Sequence, residues 1–161
     1  MMKTAVLVID MVNGMEKWVP KPRIKKILPN VKNLLKKARK GKVPVIFAVH
    51  TPLGKKGTII YSDIAAEKNE RILKKNELSC FFNTSLDKIL KKMKAKQLVI
   101  AGISTHWCVM ATAMDASYRK YKIVVAKDCM TAPDNRMHKL ALEWMKDALP
   151  VVVKDSNQKL W

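Results

Sequence analysis

Residues 97–117 read QLVIAGISTHWCVMATAMDAS, and the fold turns on how this stretch is read. Leu98, Val99, Ile100 and Ala101 form a short unbroken apolar run, the pattern of a strand buried on both faces. Residues 102–106, Gly-Ile-Ser-Thr-His, form the turn out of it. From Trp107 onward Val109, Ala113 and Ala116 recur at helical spacing. Cys108 falls in the first turn of that helix. There the positive end of the helix dipole and unpaired backbone N–H groups lower a thiol's pKa and favour the thiolate. A free cysteine is equally at home as a small buried apolar residue. This stretch alone leaves both roles open.

Working outward, the alternation of strand and helix continues in both directions. Thr4–Ile9 is a buried strand with Asp10 at its C-terminal end. Ile24, Ile27, Leu28, Val31, Leu34, Leu35 and Ala38 recur at steps of three and four with lysines between them, which predicts an amphipathic helix stopped at Gly41. Val43–Val49 reads as a second strand, Thr51–Gly57 as a loop, and Thr58–Arg71 as irregular or partly helical. Ile72 and Leu73 lead a short strand that ends at Lys75. Leu86, Ile89, Leu90 and Met93 mark the next helix. Beyond the opening stretch, Ile123–Ala126 is a strand closed by Lys127-Asp128, Asn135–Asp147 a helix, and Leu149–Val153 a last strand. The expected fold is a three-layer α/β/α single domain over residues 1–161, a Rossmann-like, mostly parallel sheet with helices on both faces. Sites in such sheets lie at the carboxyl ends of the strands. Asp10, His50, Lys75, the turn at 103–105 and Asp128 all fall at such ends, and Cys108 opens the helix beyond one. That convergence tips Cys108 toward a nucleophile.

A chain of 161 residues with 48% hydrophobic residues is long enough to bury a proper core. It has no apolar run long enough to span a membrane. The start loosely mimics a signal peptide, but its apolar centre is only Ala5–Ile9 and Asp10 ends it, so it reads as a strand. Cys80, Cys108 and Cys129 are an odd number without metal-type spacing, which favours free thiols in a reducing cytoplasm. The net charge of +19 is extreme for this length. The lysines are spread along the chain between apolar core positions, with no aromatic signature of RNA binding. The expectation is a solvated basic surface that attracts polyanions without specificity, and neither a specific nucleic-acid partner nor a membrane.

Three motifs in order complete the reading. Residues 6–13, VLVIDMVN, carry an aspartate at the end of the first strand. Residues 75–86, KNELSCFFNTSL, carry a lysine followed by a Ser-x-Phe segment. Residues 101–109, AGISTHWCV, followed by Thr112-Ala113 and Asp115-Ala116, carry the cysteine. On these motifs the chain resembles, over essentially its whole length, the isochorismatase-like cysteine hydrolases, which include nicotinamidases and carbamoylsarcosine amidases. The resemblance implies an Asp10/Lys75/Cys108 triad that hydrolyses a small carboxamide through an acyl-enzyme. Asp10 moves protons, Cys108 attacks the carbonyl carbon, and Lys75 supplies fixed positive charge. It also implies a cis peptide at Ile103–Ser104, which aims the backbone N–H of Ser104, with that of Cys108, at a developing oxyanion. A homodimer or larger homo-oligomer is expected on the same ground.

The chain departs from the family in several places. Nicotinamidases carry a metal-binding Asp-x-His after the second strand, whereas Ala48 stands here where the aspartate belongs and His50 has no companion histidine before His106. One imidazole does not make a zinc site, so neither a metal nor any other cofactor is expected. Val12 stands where many relatives have glutamine. Residues 51–74 leave little room for a lid, so part of the pocket is expected from a neighbouring subunit. His106, where relatives often have Asp or Asn, and His50 join Trp18, Phe81 and Trp107 as the expected substrate pocket. Three other functions compete: vinyl-ether hydrolysis of the isochorismatase type, a non-catalytic basic binding protein on this fold, and a redox-responsive thiol at Cys108 with Cys80 or Cys129 as resolving partner.

Overall fold

The computed structural model describes residues 2–161. Six strands form one parallel sheet: β1 (Thr4–Ile9), β2 (Val45–His50), β3 (Arg71–Lys75), β4 (Gln97–Ile103), β5 (Lys122–Thr131) and β6 (Val151–Lys154). Their order across the sheet is β3-β2-β1-β4-β5-β6. The five helices are α1 (Lys21–Lys40), the single turn α2 (Gly54–Gly57), α3 (Leu86–Lys92), α4 (Met110–Tyr118) and α5 (Asn135–Ala148).

The two-residue period of the strands divides the core into layers. Val6 and Val8 of β1 face α1, whose Ile24, Val31, Leu34 and Leu35 are fully buried. Ala5, Leu7 and Ile9 face the opposite layer, where α3 contributes Leu86 and Leu90, α4 Ala113, and the turn before α4 Val109. Every apolar position that defined the amphipathic helix is buried, and Gly41 caps it. The apolar face carries the helix through Pro29, although proline removes one backbone bond there.

β2 and β6 each lie one or two residues further along than the sequence reading placed them, and three larger differences bear on the site. Residues 51–57 are not an open loop: Thr51–Leu53 forms a 3-10 turn that continues into α2. Gly102 and Ile103 belong to β4 rather than to a turn. Gly102 has φ +121°, and a Cβ there would lie 2.0 Å from the Ile9 carbonyl oxygen, so glycine is needed for β1 and β4 to approach. The strand predicted at Ile123–Ala126 runs on to Thr131. Val125 pairs with Ile100 and Met130 with Gly102, so residues 126–129 bulge opposite Ala101. Lys127-Asp128 is part of that bulge and not a strand end.

The strand order reverses direction between β1 and β4. That is the crevice where ligands bind in open α/β sheets, and Asp10 and the turn leading to Cys108 lie on its two sides.

Candidate functional site

Two members of the expected triad are placed by strand ends and the third by the turn that follows β4. Asp10 follows β1 in the left-handed conformation, φ +51°, with its side chain fully buried. Lys75 is the last residue of β3, two strands away from β1, roughly 10 Å across the sheet. Only a long side chain spans that gap. Its Nζ reaches 2.8 Å from Asp10 Oδ2 and 3.4 Å from Cys108 Sγ, and donates to the Glu77 carbonyl at 3.0 Å. Lys75 is 2% exposed and Cys108 5%. Asp10 Oδ2 is held by Lys75, whereas Oδ1 has no hydrogen-bond partner among the described residues and keeps its lone pairs for a reacting group.

The electrostatics correct one expectation. The helix-end position was read as lowering the Cys108 pKa, but the thiol is pushed up to about 12. Burial is the largest cause and the charge of Asp10 the next, with Lys75 acting in the opposite direction. Burial alone would lower the Lys75 ammonium, yet Asp10, the strongest of its charge partners, holds it above its ordinary value. The resting cluster is therefore a protonated thiol beside an ammonium–carboxylate pair.

The turn carrying Cys108 is a π-turn, Thr105–Val109, that opens into α4. The Ser104 carbonyl accepts the N–H groups of Trp107 and Val109, and so passes over Cys108. The Ile103–Ser104 peptide is cis. His106 Nδ1 lies 3.0 Å from Ser104 Oγ, and burial lowers its pKa. Thr105 Oγ1 is 2.9 Å from His138 Nδ1, which ties the turn to α5.

The remaining expected pocket residues divide. His50 pairs with Lys75 across β2 and β3. Its Nδ1 is buried without a hydrogen-bond partner, and its pKa is lowered by burial and then by Lys75. Trp107 is partly exposed, its ring tilted against His106 at 4.7 Å. Trp18 ends the 3-10 turn Asn13–Lys17 on the surface. Phe81 is spent on packing: it stacks on Tyr121 at 5.9 Å, with the Arg119 guanidinium 4.8 Å above its ring. Asp128, expected on the rim, instead accepts the backbone N–H and the hydroxyl of Ser156, both at 2.7 Å, and so holds the C-terminal segment.

One network escaped the sequence reading. Positions 108, 112 and 115 share a helical face. Below Cys108, Thr112 Oγ1 accepts the Cys80 N–H at 3.0 Å, and Asp115 accepts the Ser79 hydroxyl and, at 2.8 Å, Arg119. These bonds clip the loop after Lys75 to the helix that carries the cysteine. The Thr and Asp of the third motif were the available signal. Among the described residues no three His, Cys, Asp or Glu side chains gather in a way that holds a metal ion, all three cysteines are free and buried, and no helix is long and apolar enough to cross a membrane.

A strand-end Asp and Lys meeting a helix-borne cysteine at the switch point of a parallel sheet define a class, and comparison with known proteins names it. The isochorismatase domain matches residues 4–157, and the chain belongs to that family of hydrolases. It is 28% identical to the isochorismatase family protein YaaI of Bacillus subtilis, over 96% of this chain and 94% of that one. It is 30% identical to a secreted isochorismatase effector of Verticillium dahliae, over 80% of this chain and 76% of the other. The crystal structure of N-carbamoylsarcosine amidase from Thermoplasma acidophilum superposes with a TM-score of 0.89 at 25% identity, covering 99% of this chain and all of that one.

Proposed function

We propose that this protein hydrolyses the C–N bond of a small carboxamide through a thioester on Cys108, as a single hydrolase domain without a metal. The observation that carries the reading is the buried Lys75 ammonium placed between Asp10 and Cys108. The likeness to an N-carbamoylsarcosine amidase supports an amide as substrate.

The resting charges set the order of proton movements. Because the thiol is held protonated, attack and deprotonation go together: Asp10 takes the proton as sulfur bonds to the carbonyl carbon. The oxyanion that forms is met by the backbone N–H groups of Ser104 and Cys108. Asp10 returns the proton to the nitrogen, the C–N bond breaks, and ammonia or an amine leaves. Water then gives a proton to Asp10 and its oxygen to the acyl carbon. Collapse releases the acid, and the proton returns to sulfur. Lys75 keeps its charge throughout and offsets the cost of the carboxylate and the transient thiolate in a buried site. His50, paired with Lys75 across β2 and β3, borders the cluster, and burial, then Lys75, lower its pKa, which favours an uncharged contact for substrate.

The test is ammonia release from a panel of N-carbamoylsarcosine, nicotinamide and short aliphatic carboxamides. Turnover that disappears in Cys108→Ala and Asp10→Asn, and is unchanged by chelators, is the expected result. Turnover that persists in Cys108→Ala overturns the reading in favour of chemistry without a cysteine nucleophile, such as vinyl-ether cleavage.

A further inference from the structure

Helices α1, α3 and α4 each run down to the N-terminal edge of the sheet, the rim opposite Asp10 and Cys108, and end there in the same turn. The Val43 N–H donates to the Ala38 carbonyl, the Ala95 N–H to Leu90 and the Tyr121 N–H to Ala116, each bond reaching back five residues. The residue before each donor is left-handed: Lys42 at φ +53°, Lys94 at φ +54° and Lys120 at φ +64°. Glycine or asparagine is usual there, because a longer side chain strains the backbone. Three separate turns carry lysine instead. A cation at a helix C-terminus gains from the dipole, but the last turns of α1 and α3 already hold Arg39 and Lys40, and Lys91 and Lys92.

The three turns lie close together. They lead into β2, β4 and β5, which with β1 are neighbours in the order β2-β1-β4-β5, so the four strand starts span roughly 14 Å. Lys3, Lys96 and Lys122 add a row on adjacent strands: the Lys96 N–H donates to the Lys3 carbonyl at 2.8 Å, and the Lys122 N–H to the Lys96 carbonyl at 2.9 Å. All six lysines are exposed, and none pairs with a carboxylate among the described residues. Asp87 and Asp115 of the neighbouring helices are taken by Lys91 and Arg119. The segments that build the rim, 2–4, 40–44, 91–97 and 118–122, hold no acidic residue. Tyr118 ends α4 two residues before Lys120 and is 67% exposed, more than any other large apolar side chain among the described residues. We infer that this rim binds single-stranded nucleic acid without regard to sequence, the lysines holding phosphates and Tyr118 stacking on a base. A basic face attracts any polyanion, and the exposed ring selects among them, because only an unpaired base is open to stack on it. Four segments far apart in the chain assemble the face, so no single stretch of sequence announces it.

The test reads binding rather than turnover, so it stands or falls independently of the proposed chemistry. It is fluorescence anisotropy of the full chain with a labelled, mixed-sequence oligonucleotide of about twelve nucleotides, between about 50 and 200 mM KCl. With about five phosphates neutralised, log Kd should rise with log salt at a slope of about 3.5. Lys42→Gly combined with Lys94→Gly and Lys120→Gly should weaken binding at least tenfold and lower that slope by about 2. The thermal midpoint should hold or rise, because glycine relieves each turn. Lys25→Gln combined with Lys26→Gln and Lys32→Gln removes the same charge from the far half of α1 and should change affinity less than threefold. Tyr118→Ala should weaken binding about fivefold or more. Absence of wild-type binding at about 50 mM salt overturns the inference. So does equal weakening by the two lysine triples, which means that net charge alone drives binding, or wild-type affinity in Tyr118→Ala. Tighter binding to phosphatidylserine vesicles than to the oligonucleotide assigns the rim to a membrane surface and overturns it as well.

Discussion

Replacing Asp10 by Asn separates two properties of Cys108 that an ordinary activated cysteine combines. The Cys108 thiol is raised from 9.0 to about 12, first by burial and then by the charge of Asp10. Near neutral pH such a thiol holds roughly a thousandfold less thiolate than an unperturbed one. Asn keeps the volume and removes the charge, while Lys75 remains 3.4 Å from sulfur and favours thiolate with burial alone against it. The pKa must fall. Each tenfold gain in thiolate is partly offset by lower intrinsic nucleophilicity, leaving roughly threefold in rate. Alkylation of Cys108 by iodoacetamide at neutral pH should therefore accelerate at least about threefold, and about thirtyfold if the pKa returns fully to its ordinary value. Amide hydrolysis by the same variant should fall by about two to four orders of magnitude, because the proton carrier is gone. In the wild-type protein labelling should keep rising with pH past 9, with no plateau near neutrality. The assay is intact-mass spectrometry with peptide mapping, in which the buried Cys80 and Cys129 serve as internal controls. Slower labelling in Asp10→Asn, or a wild-type plateau below pH 7, would refute the reasoning and restore the low-pKa thiolate that the helix end alone implies.

Other perturbations follow from the same geometry. Lys75→Met strands the buried carboxylate of Asp10 and should cost about 3–5 kcal/mol in urea unfolding, whereas the double variant with Asp10→Asn should cost less than the sum of the two single changes. Gly102→Ala drives a methyl group into the Ile9 carbonyl at 2.0 Å and should destabilise by about 4 kcal/mol or more, read as lost soluble expression or a sharply lower thermal midpoint. Asp115→Asn loosens the loop that holds Lys75. It should lower stability by about 1–2 kcal/mol and kcat more than it changes KM, and equal wild-type kinetics would count against a positioning role.

The parts of this molecule written in local pattern were legible in the sequence. The two-sided apolar runs of β1 and β4, and the seven buried positions of α1, gave the layers, and strand ends gave the rim on which Asp10 and Lys75 meet Cys108. Signals that depend on distant chain were not legible. Lys127-Asp128 interrupts an apolar run and reads as a strand end, yet Ser156 and the bulge opposite Ala101 explain the two polar residues inside β5. Gly102 reads as a turn, because nothing local reveals that the Ile9 carbonyl lies against it. The thiol pKa went wrong for the same reason. The helix dipole is a neighbour in sequence, whereas the burial that raises the thiol most, and the charge of Asp10 after it, come from chain far away. Phe81 stood in a motif beside Lys75 and was read as a pocket wall, while Tyr121 and Arg119, far along the chain, claim its ring.

The central claim is a covalent thioester, and the most direct measurement is acid-quenched intact-mass spectrometry during turnover of whichever carboxamide releases ammonia fastest. The expected result is one acyl adduct, mapped to the peptide containing Cys108, removed by hydroxylamine and absent from Cys108→Ala. Steady turnover with no adduct at Cys108, together with undiminished hydrolysis by Cys108→Ala, would contradict it.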